Sequence, residues 1–134
     1  MKKEDLMKFC GGQYPEPWTR DGYTYACNGH ILCRIPSIND IANTNGPDVN
    51  LVEQKTPQPE RYIALRDCTL PMERWRGIIN GVSFRIKYLR LLAKLPGCEI
   101  GPNKWTTTDR SKIPPSRFRF EGGDGLIMPL IEER

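Results

Sequence analysis

The sequence predicts an α+β domain, and three features of its 134 residues support this class. A short amphipathic helix opens the chain, Asn-Gly pairs at 28–29 and 80–81 each lie between β-rich runs, and a second helix follows the later pair directly. Strands and helices therefore come in separate blocks, which is typical of antiparallel sheets with helices packed on them. A chain of this length supports one core, so we expect a single domain over residues 1–134 with two short helices on antiparallel sheets.

The first predicted helix runs from Lys2 to Cys10. Its apolar residues recur at helical spacing, two acids occupy the first turn, where the helix dipole favours them, and Gly11-Gly12 ends it. Residues 13–22 contain two prolines and a glycine, which predicts a loop that leads into a strand.

The next segment, Tyr23 to Ile35, predicts a β-hairpin in which Asn28-Gly29 forms a two-residue type I′ turn. Residues 37–58 are rich in Asn, Pro and Asp and have no sustained periodicity. We therefore expect an irregular excursion at 37–58, with one turn of helix at Ile38 to Ala42.

The second half of the chain predicts further strands around a second hairpin turn at Asn80-Gly81. Pro96-Gly97 ends the helix that follows, because proline lacks a backbone donor and glycine accepts a left-handed conformation. The last two strands are joined by a glycine-rich turn. The predicted strands are Arg61 to Cys68, Val82 to Phe84, Cys98 to Ile100, Ser116 to Phe120 and Leu126 to Ile131.

The stretch from Ile78 to Pro96 is the clearest amphipathic segment of the chain. On a helical wheel, an apolar arc and a basic stripe lie on opposite sides, and the apolar arc predicts contact with the core. The stripe has two interpretations: the ordinary solvated face of a helix, or a surface for phosphates. The arc comprises Ile86, Tyr88, Leu89, Leu92 and Ala93, and the stripe comprises Lys87, Arg90 and Lys94.

The overall charge permits a polyanionic partner without requiring one. Lys and Arg number 20 against 16 Asp and Glu, which leaves a net charge of +4 and a pI near 8.9. No apolar run reaches the ~20 residues that cross a bilayer, and the first ten residues include two acids where a signal peptide would be apolar. We expect a soluble, cytoplasmic protein without a membrane partner.

The cysteine pattern argues against a disulfide framework or a zinc site. Five cysteines are widely spaced and no CxxC pair occurs, so small strand residues in a reducing compartment are the simplest interpretation. Cys27, Cys33 and His30 around a metal are the alternative. We expect His30 to be a hairpin residue rather than a catalyst, and we expect no cofactor.

Enzyme motifs are absent from the sequence: there is no P-loop, GxSxG or HExxH pattern. One histidine provides little acid–base capacity near neutral pH, so we expect no catalysis. A metal-dependent nuclease built from Asp21, Asp67 or Asp124 remains the alternative, which an assay of metal-stimulated cleavage would decide.

Three patches of sequence, in this order along the chain, together point to one family. DGYTYACNGHILCRIP resembles an A-T-D-G-H-R-L-A turn, with Asn28, Gly29, His30 and Leu32 in the corresponding places. GVSFRIKYLRLLAKL is similar to a strand that enters a helix through F-N-V-K-Y-L, and the terminal GLIMPLIEER is similar to V-M-P-M-R-L. All three comparison motifs belong to the last domain of bacterial DNA polymerase sliding clamps, so the chain resembles a single-domain, phage-like version of that domain.

The resemblance implies outward sheets, two inward helices, a ring around duplex DNA and a pocket for polymerase peptides. A basic stripe opposite an apolar stripe also suits a phosphate surface that does not read sequence. The resemblance thus implies DNA contacts on both helices and a peptide pocket at the end of the chain. The implied DNA-binding residues are Lys87, Arg90, Lys94, Lys2, Lys3 and Lys8, and the implied peptide-binding residues are Met128, Pro129 and Leu130.

Two functional hypotheses follow. The first is a non-enzymatic, DNA-associated replication or processivity factor of phage or mobile-element origin. Clamp subunits carry three such domains and this chain has one, so a ring would require homo-oligomers. The second is a single-domain clamp-fold module that does not encircle DNA and binds a host or phage protein through Met128 to Ile131 or an exposed sheet edge. Met128-Pro129-Leu130 likewise has two interpretations: it is either an ordinary last strand or one wall of the peptide pocket.

Overall fold

A computed structural model describes residues 1–38, 41–70 and 75–131 of the chain. This described part contains three α-helices, nine β-strands and two 3₁₀ turns, the latter at Leu65–Asp67 and Arg110–Lys112. The helices are α1 (Lys3–Met7), α2 (Asn50–Lys55) and α3 (Ile86–Ala93). The strands are β1 (Trp18–Arg20), β2 (Tyr23–Cys27), β3 (Ile31–Pro36), β4 (Ile63–Ala64), β5 (Arg76–Ile79), β6 (Val82–Arg85), β7 (Glu99–Gly101), β8 (Ser116–Phe120) and β9 (Gly123–Ile127).

Seven of the strands form one antiparallel sheet in the order β1-β2-β3-β9-β8-β7-β4, and β5 and β6 form a separate hairpin. The predicted α+β class is confirmed. The arrangement differs in detail from the outward sheets and two helices that the family resemblance implied, because one sheet is large, the other is a hairpin, and a third helix is present.

The main core lies between one face of the large sheet and the layer formed by α1, α3 and the β5–β6 hairpin. Side chains alternate between the two faces of a strand, so every second residue of β3 and β8 points into this core. The predicted apolar arc of α3 is buried except for Ala93, which is exposed. Residues of this core include Leu6, Phe9, Ile31, Cys33, Ile86, Leu89, Leu92, Phe118 and Ile127.

Residues 41–58 cover the opposite face of the large sheet. This segment is irregular, as expected, except for the helix α2, which was not predicted. Of the turn predicted at Ile38 to Ala42, residues 39–40 lie outside the described residues, and the N–H of Ile41 donates to the carbonyl of Ile38 (3.3 Å). Asp48 Oδ1 accepts a hydrogen bond from the N–H of Asn50 (3.0 Å) where α2 begins, and Thr56 Oγ1 donates to the carbonyl of Val52 (2.8 Å) where it ends. A helix of under two turns is too short to produce a visible period, which explains why the pattern missed it.

The two predicted Asn-Gly turns have different outcomes. Asn80 and Gly81 both have positive φ (48° and 81°), as the type I′ turn of the β5–β6 hairpin requires. In the β2–β3 hairpin the N–H of Asn28 donates to the carbonyl of Ile31 (3.2 Å), so the turn centres on Gly29 and His30 instead. The prediction was one residue early because Asn28 uses its side chain to cap the turn, and only Gly29 has positive φ (91°).

Two predicted strands have different bounds in the structure. The strand predicted from Arg61 to Cys68 is limited to β4, because its partner β7 is only three residues long and the chain then enters a 3₁₀ turn. The last strand is β9 and ends at Ile127, so the prediction that it runs through Met128 to Ile131 is wrong. Of the glycines that predicted a turn before the last strand, Gly122 lies in the turn between β8 and β9 with a φ of 98°, whereas Gly123 and Gly125 lie inside β9. A Cβ at Gly125 would overlap the carbonyl oxygen of Leu32 and the ring of Phe118.

Candidate functional site

An apolar groove with a volume of about 270 Å³ lies between the turn of the β2–β3 hairpin and the segment that contains α2. Its walls come from five separate segments of the chain. Aromatic and aliphatic side chains dominate them, and few polar groups interrupt the surface. The lining residues include Tyr14, Trp18, Cys27, His30, Leu32, Val49, Val52, Leu126 and Met128.

Trp18 forms the floor of this groove and is the residue around which the others pack. Its indole is 1% exposed and stacks on Tyr25, with ring centroids 5.6 Å apart and an interplanar angle of 20°. Tyr14 contacts it at the same centroid distance of 5.6 Å. The indole Nε1–H has no hydrogen-bond partner in the described part of the chain. A buried donor without a partner costs free energy, and this Nε1 atom is closed off from solvent, so it is a cost of packing Trp18 rather than a contact point for a ligand.

The hairpin turn on one rim of the groove is held rigidly. Asn28 Oδ1 accepts hydrogen bonds from the N–H groups of His30 (2.9 Å) and Ile31 (3.0 Å), and its Nδ2 donates to Tyr88 Oη on α3 (3.2 Å). The imidazole of His30 stacks on Tyr88 at 6.1 Å. The N–H of Met128 donates to the carbonyl of His30 (2.8 Å), which fixes Met128 beside the rim.

An ion network holds α2 against the sheet on the other side of the groove. Arg34 of β3 donates to both carboxylate oxygens of Glu53 (2.7 and 2.9 Å) and to both of Asp124 (2.7 and 2.9 Å). Hydrogen bonds to Asp124 and then Glu53 raise the pKa of Arg34, although its burial acts in the opposite direction. Arg117 of β8 donates to the carbonyls of Glu53 (2.6 Å) and Thr56 (2.8 Å). The guanidinium groups thus bind both the side chain and the C-terminal end of α2.

The three residues predicted to bind a peptide are separated by the structure. Met128 is half-buried and lines the groove, whereas Pro129 is buried and lies outside its walls. Leu130 turns to the β5–β6 hairpin, where its N–H donates to the carbonyl of Ser83 (2.7 Å). Only Met128 of this set therefore belongs to the groove.

The residues predicted to contact DNA lie on α1 and α3 or directly beside their ends. Lys8, the residue after α1, and Lys94, the residue after α3, line one crevice together with the acidic Asp5 and Glu121. Arg90 is half-buried, and Lys87 Nζ lies 5.4 Å from the ring centroid of Tyr88. The five lysines are exposed: Lys2, Lys3, Lys8, Lys87 and Lys94.

Among the described residues, the alternative metal and nuclease sites are not assembled as groups of ligands. Cys33 is buried in the main core, whereas Cys27 lines the groove, and burial raises the pKa of both thiols. Asp21, Asp67 and Asp124 lie on different elements, each within 4 Å of an arginine nitrogen. The described ranges hold no group of three or more His, Cys, Asp or Glu residues arranged to bind a metal ion.

Most residues of the groove were missed by sequence reasoning. No sequence motif marks Trp18, Val52 or the ion-pair partners Arg34 and Glu53, because the fold brings each of them to the site. One available signal was Arg34 itself, a charged residue at an inner position of an apolar strand, which indicates a buried partner.

The chain matches no protein-family model, no curated protein and no solved structure with which it was compared. The likeness to sliding clamps therefore remains a hypothesis that depends on the three sequence patches. Among the described helices, none has the length and apolar character to span a membrane.

Proposed function

We propose that this chain is a non-enzymatic, clamp-like interaction module of the cytoplasm, which binds an extended peptide of a host or phage protein in the apolar groove. The observation that carries this proposal is the groove itself, with Met128 in its wall and the buried indole of Trp18 beneath it. Apolar walls with a few placed polar groups are typical of ligand sites.

The size and chemistry of the groove favour a peptide over a cofactor. Sites for drug-sized molecules start at about 300 Å³, and a space of about 270 Å³ suits a few apolar side chains. The rigid hairpin turn and the anchored α2 leave the groove preformed, which lowers the entropic cost of binding.

The proposal is tested with an array of overlapping peptides from replicative DNA polymerases and from host proteins, followed by fluorescence anisotropy on the peptides that bind. Val52→Asp and Met128→Asp place a charge in the groove and should weaken binding by roughly tenfold or more, since an unpaired charge is costly in an apolar site. Val52 is 51% exposed, so its substitution should leave the fold intact.

Met7→Asp provides the matched control. Met7 is 41% exposed on α1 and lies outside the groove, so peptide affinity should not change. Substitution of Lys87 and Lys94 by Glu should also leave the peptide affinity unchanged. The proposal is wrong if no peptide binds, or if Met7→Asp weakens binding as much as Met128→Asp does.

A second candidate function, a DNA-associated replication or processivity factor, is favoured by the charge of one segment. Residues 75–98 contain no Asp or Glu, and Lys8, the residue after α1, lines the same crevice as Lys94. Salt-sensitive retention on duplex DNA that is lost when Lys87, Arg90 and Lys94 are replaced by Glu would support this function. The cations of 75–98 are Arg76, Arg85, Lys87, Arg90 and Lys94.

A further inference from the structure

The apolar groove carries a negative charge in its wall, although the chain as a whole is basic. The net charge is +4, with 20 Lys and Arg residues, and none of those in the described part lines the groove. Asp48 is the only Asp or Glu among the described lining residues, and its side chain is 51% exposed. A ligand in the groove therefore meets one carboxylate and no cationic side chain of the wall.

The carboxylate of Asp48 is only partly engaged within the chain. Its Oδ1 accepts a hydrogen bond from the N–H of Asn50 (3.0 Å), and its Oδ2 lies 3.8 Å from Arg20 Nη2. Arg20 Nε also lies 3.6 Å from Asp21 Oδ2, so one arginine is shared between two carboxylates. These ion pairs are long and exposed to solvent, so they neutralise Asp48 incompletely. A carboxylate has about four acceptor sites, and Asp48 therefore keeps capacity for a further cation.

The other charges on this face of the large sheet balance each other. Arg34 binds Glu53 and Asp124, each at a closest distance of 2.7 Å, and Arg117 Nη1 lies 3.7 Å from Glu53 Oε1. Two cations thus face two anions, and this cluster adds no net charge that would offset Asp48. The helix that carries the basic stripe, α3, packs on the opposite face of the sheet.

From these observations we infer that the groove selects peptides in which a Lys or Arg residue flanks the apolar residues, and that Asp48 determines this specificity. The inference rests on the proposed peptide-binding function and names the class of peptide. The apolar side chains of the peptide lie against Leu32, Val49 and Leu126, while its ammonium or guanidinium group pairs with the carboxylate of Asp48. An acidic residue at that position of the peptide would be repelled. A charge at the rim of an interface contributes more to such discrimination than to total affinity.

The test is the selection of a phage-displayed library of random seven-residue peptides on the wild-type chain at low salt, followed by fluorescence anisotropy of the selected peptides. Enriched sequences should combine apolar residues with Lys or Arg. Replacement of that basic residue by Gln should weaken binding roughly 2- to 5-fold, as expected for an exposed ion pair. The difference should disappear at high salt, where exposed charges are screened.

Asp48→Asn removes the charge and keeps the geometry of the α2 start. Asn is as good as Asp at helix starts, and its side-chain oxygen still accepts from the N–H of Asn50. On this variant, the selected peptides should bind equally well with the basic residue or with Gln. Asp67→Asn is the matched control, because the side chain of Asp67 is 73% exposed and lies outside the groove. It should leave the preference for the basic residue unchanged.

The inference and the peptide-binding function can fail separately. Enrichment of apolar peptides without an excess of Lys or Arg would overturn the inference and leave the peptide-binding function standing. A preference for the basic residue that is equally strong on Asp48→Asn would also overturn the inference, because Asp48 would not be its cause. Selection of no peptide at all would overturn both.

Discussion

At the scale of single residues, Trp18 determines the shape of the groove. Its ring lies between Tyr25 and the backbone of Gly46, where a Cβ would overlap the indole ring. Any side chain at position 46 must therefore displace either the loop or the ring. The glycine thus permits the close approach that buries Trp18.

Gly46→Ala should consequently reduce both stability and peptide affinity. Overpacking of this kind costs about 1–3 kcal/mol of the free energy of unfolding, measured by chemical denaturation. Gly29→Ala is a useful comparison, because position 29 has open space around it and a φ of 91°. It should cost about 1 kcal/mol from backbone strain alone. Wild-type stability and affinity in Gly46→Ala would contradict the packing argument.

Individual residues also differ in whether their position could be predicted from the sequence alone. Leu89 and Leu92 were predicted as buried because helical periodicity reports a local property of the chain. Trp18 and Met128 meet only through the order of strands in the sheet, which no local pattern encodes. Their own elements were also misplaced, since Trp18 lies on β1 in a segment predicted as a loop and Met128 lies beyond the end of the strand predicted to contain it.

At the scale of elements, α2 owes its position to charged contacts more than to its own propensity. Six residues form too short a helix to be stable alone in water. Arg34 is bound by two carboxylates, and its side chain is 17% exposed, so these hydrogen bonds are partly shielded from solvent. Glu53 is the member of this network that belongs to α2.

Glu53→Gln should loosen α2 while it leaves the main core intact. The amide keeps the shape but removes one negative charge from Arg34, for an expected loss of about 1–2 kcal/mol, because the contact is partly solvent-screened. Hydrogen exchange should accelerate in residues 41–58 and stay slow in α3. Glu60→Gln, at an exposed position, is the control. Equal exchange in the two variants would mean that Glu53 does not anchor the helix.

At the scale of the whole molecule, the edges of the large sheet are poorly suited to self-association. β1 at one edge is covered by the neighbouring loop: the N–H of Thr19 donates to the carbonyl of Asn43 (2.7 Å), and Thr19 Oγ1 donates to that of Ile41 (3.0 Å). β4 at the other edge is two residues long. Covered and very short edges are the usual means by which proteins avoid pairing with other copies.

We therefore expect light scattering to give the mass of a monomer, close to 15.4 kDa, at micromolar concentrations and at low salt. A ring around duplex DNA built from one-domain subunits requires stable contacts at two edges of each copy, and both edges here offer few free backbone groups. A monomeric mass would favour the peptide-binding module over the encircling factor, and the likeness to clamps would then concern architecture alone. An assembly of ring size, retained on duplex DNA and released when Lys87, Arg90 and Lys94 are replaced by Glu, would reverse that preference.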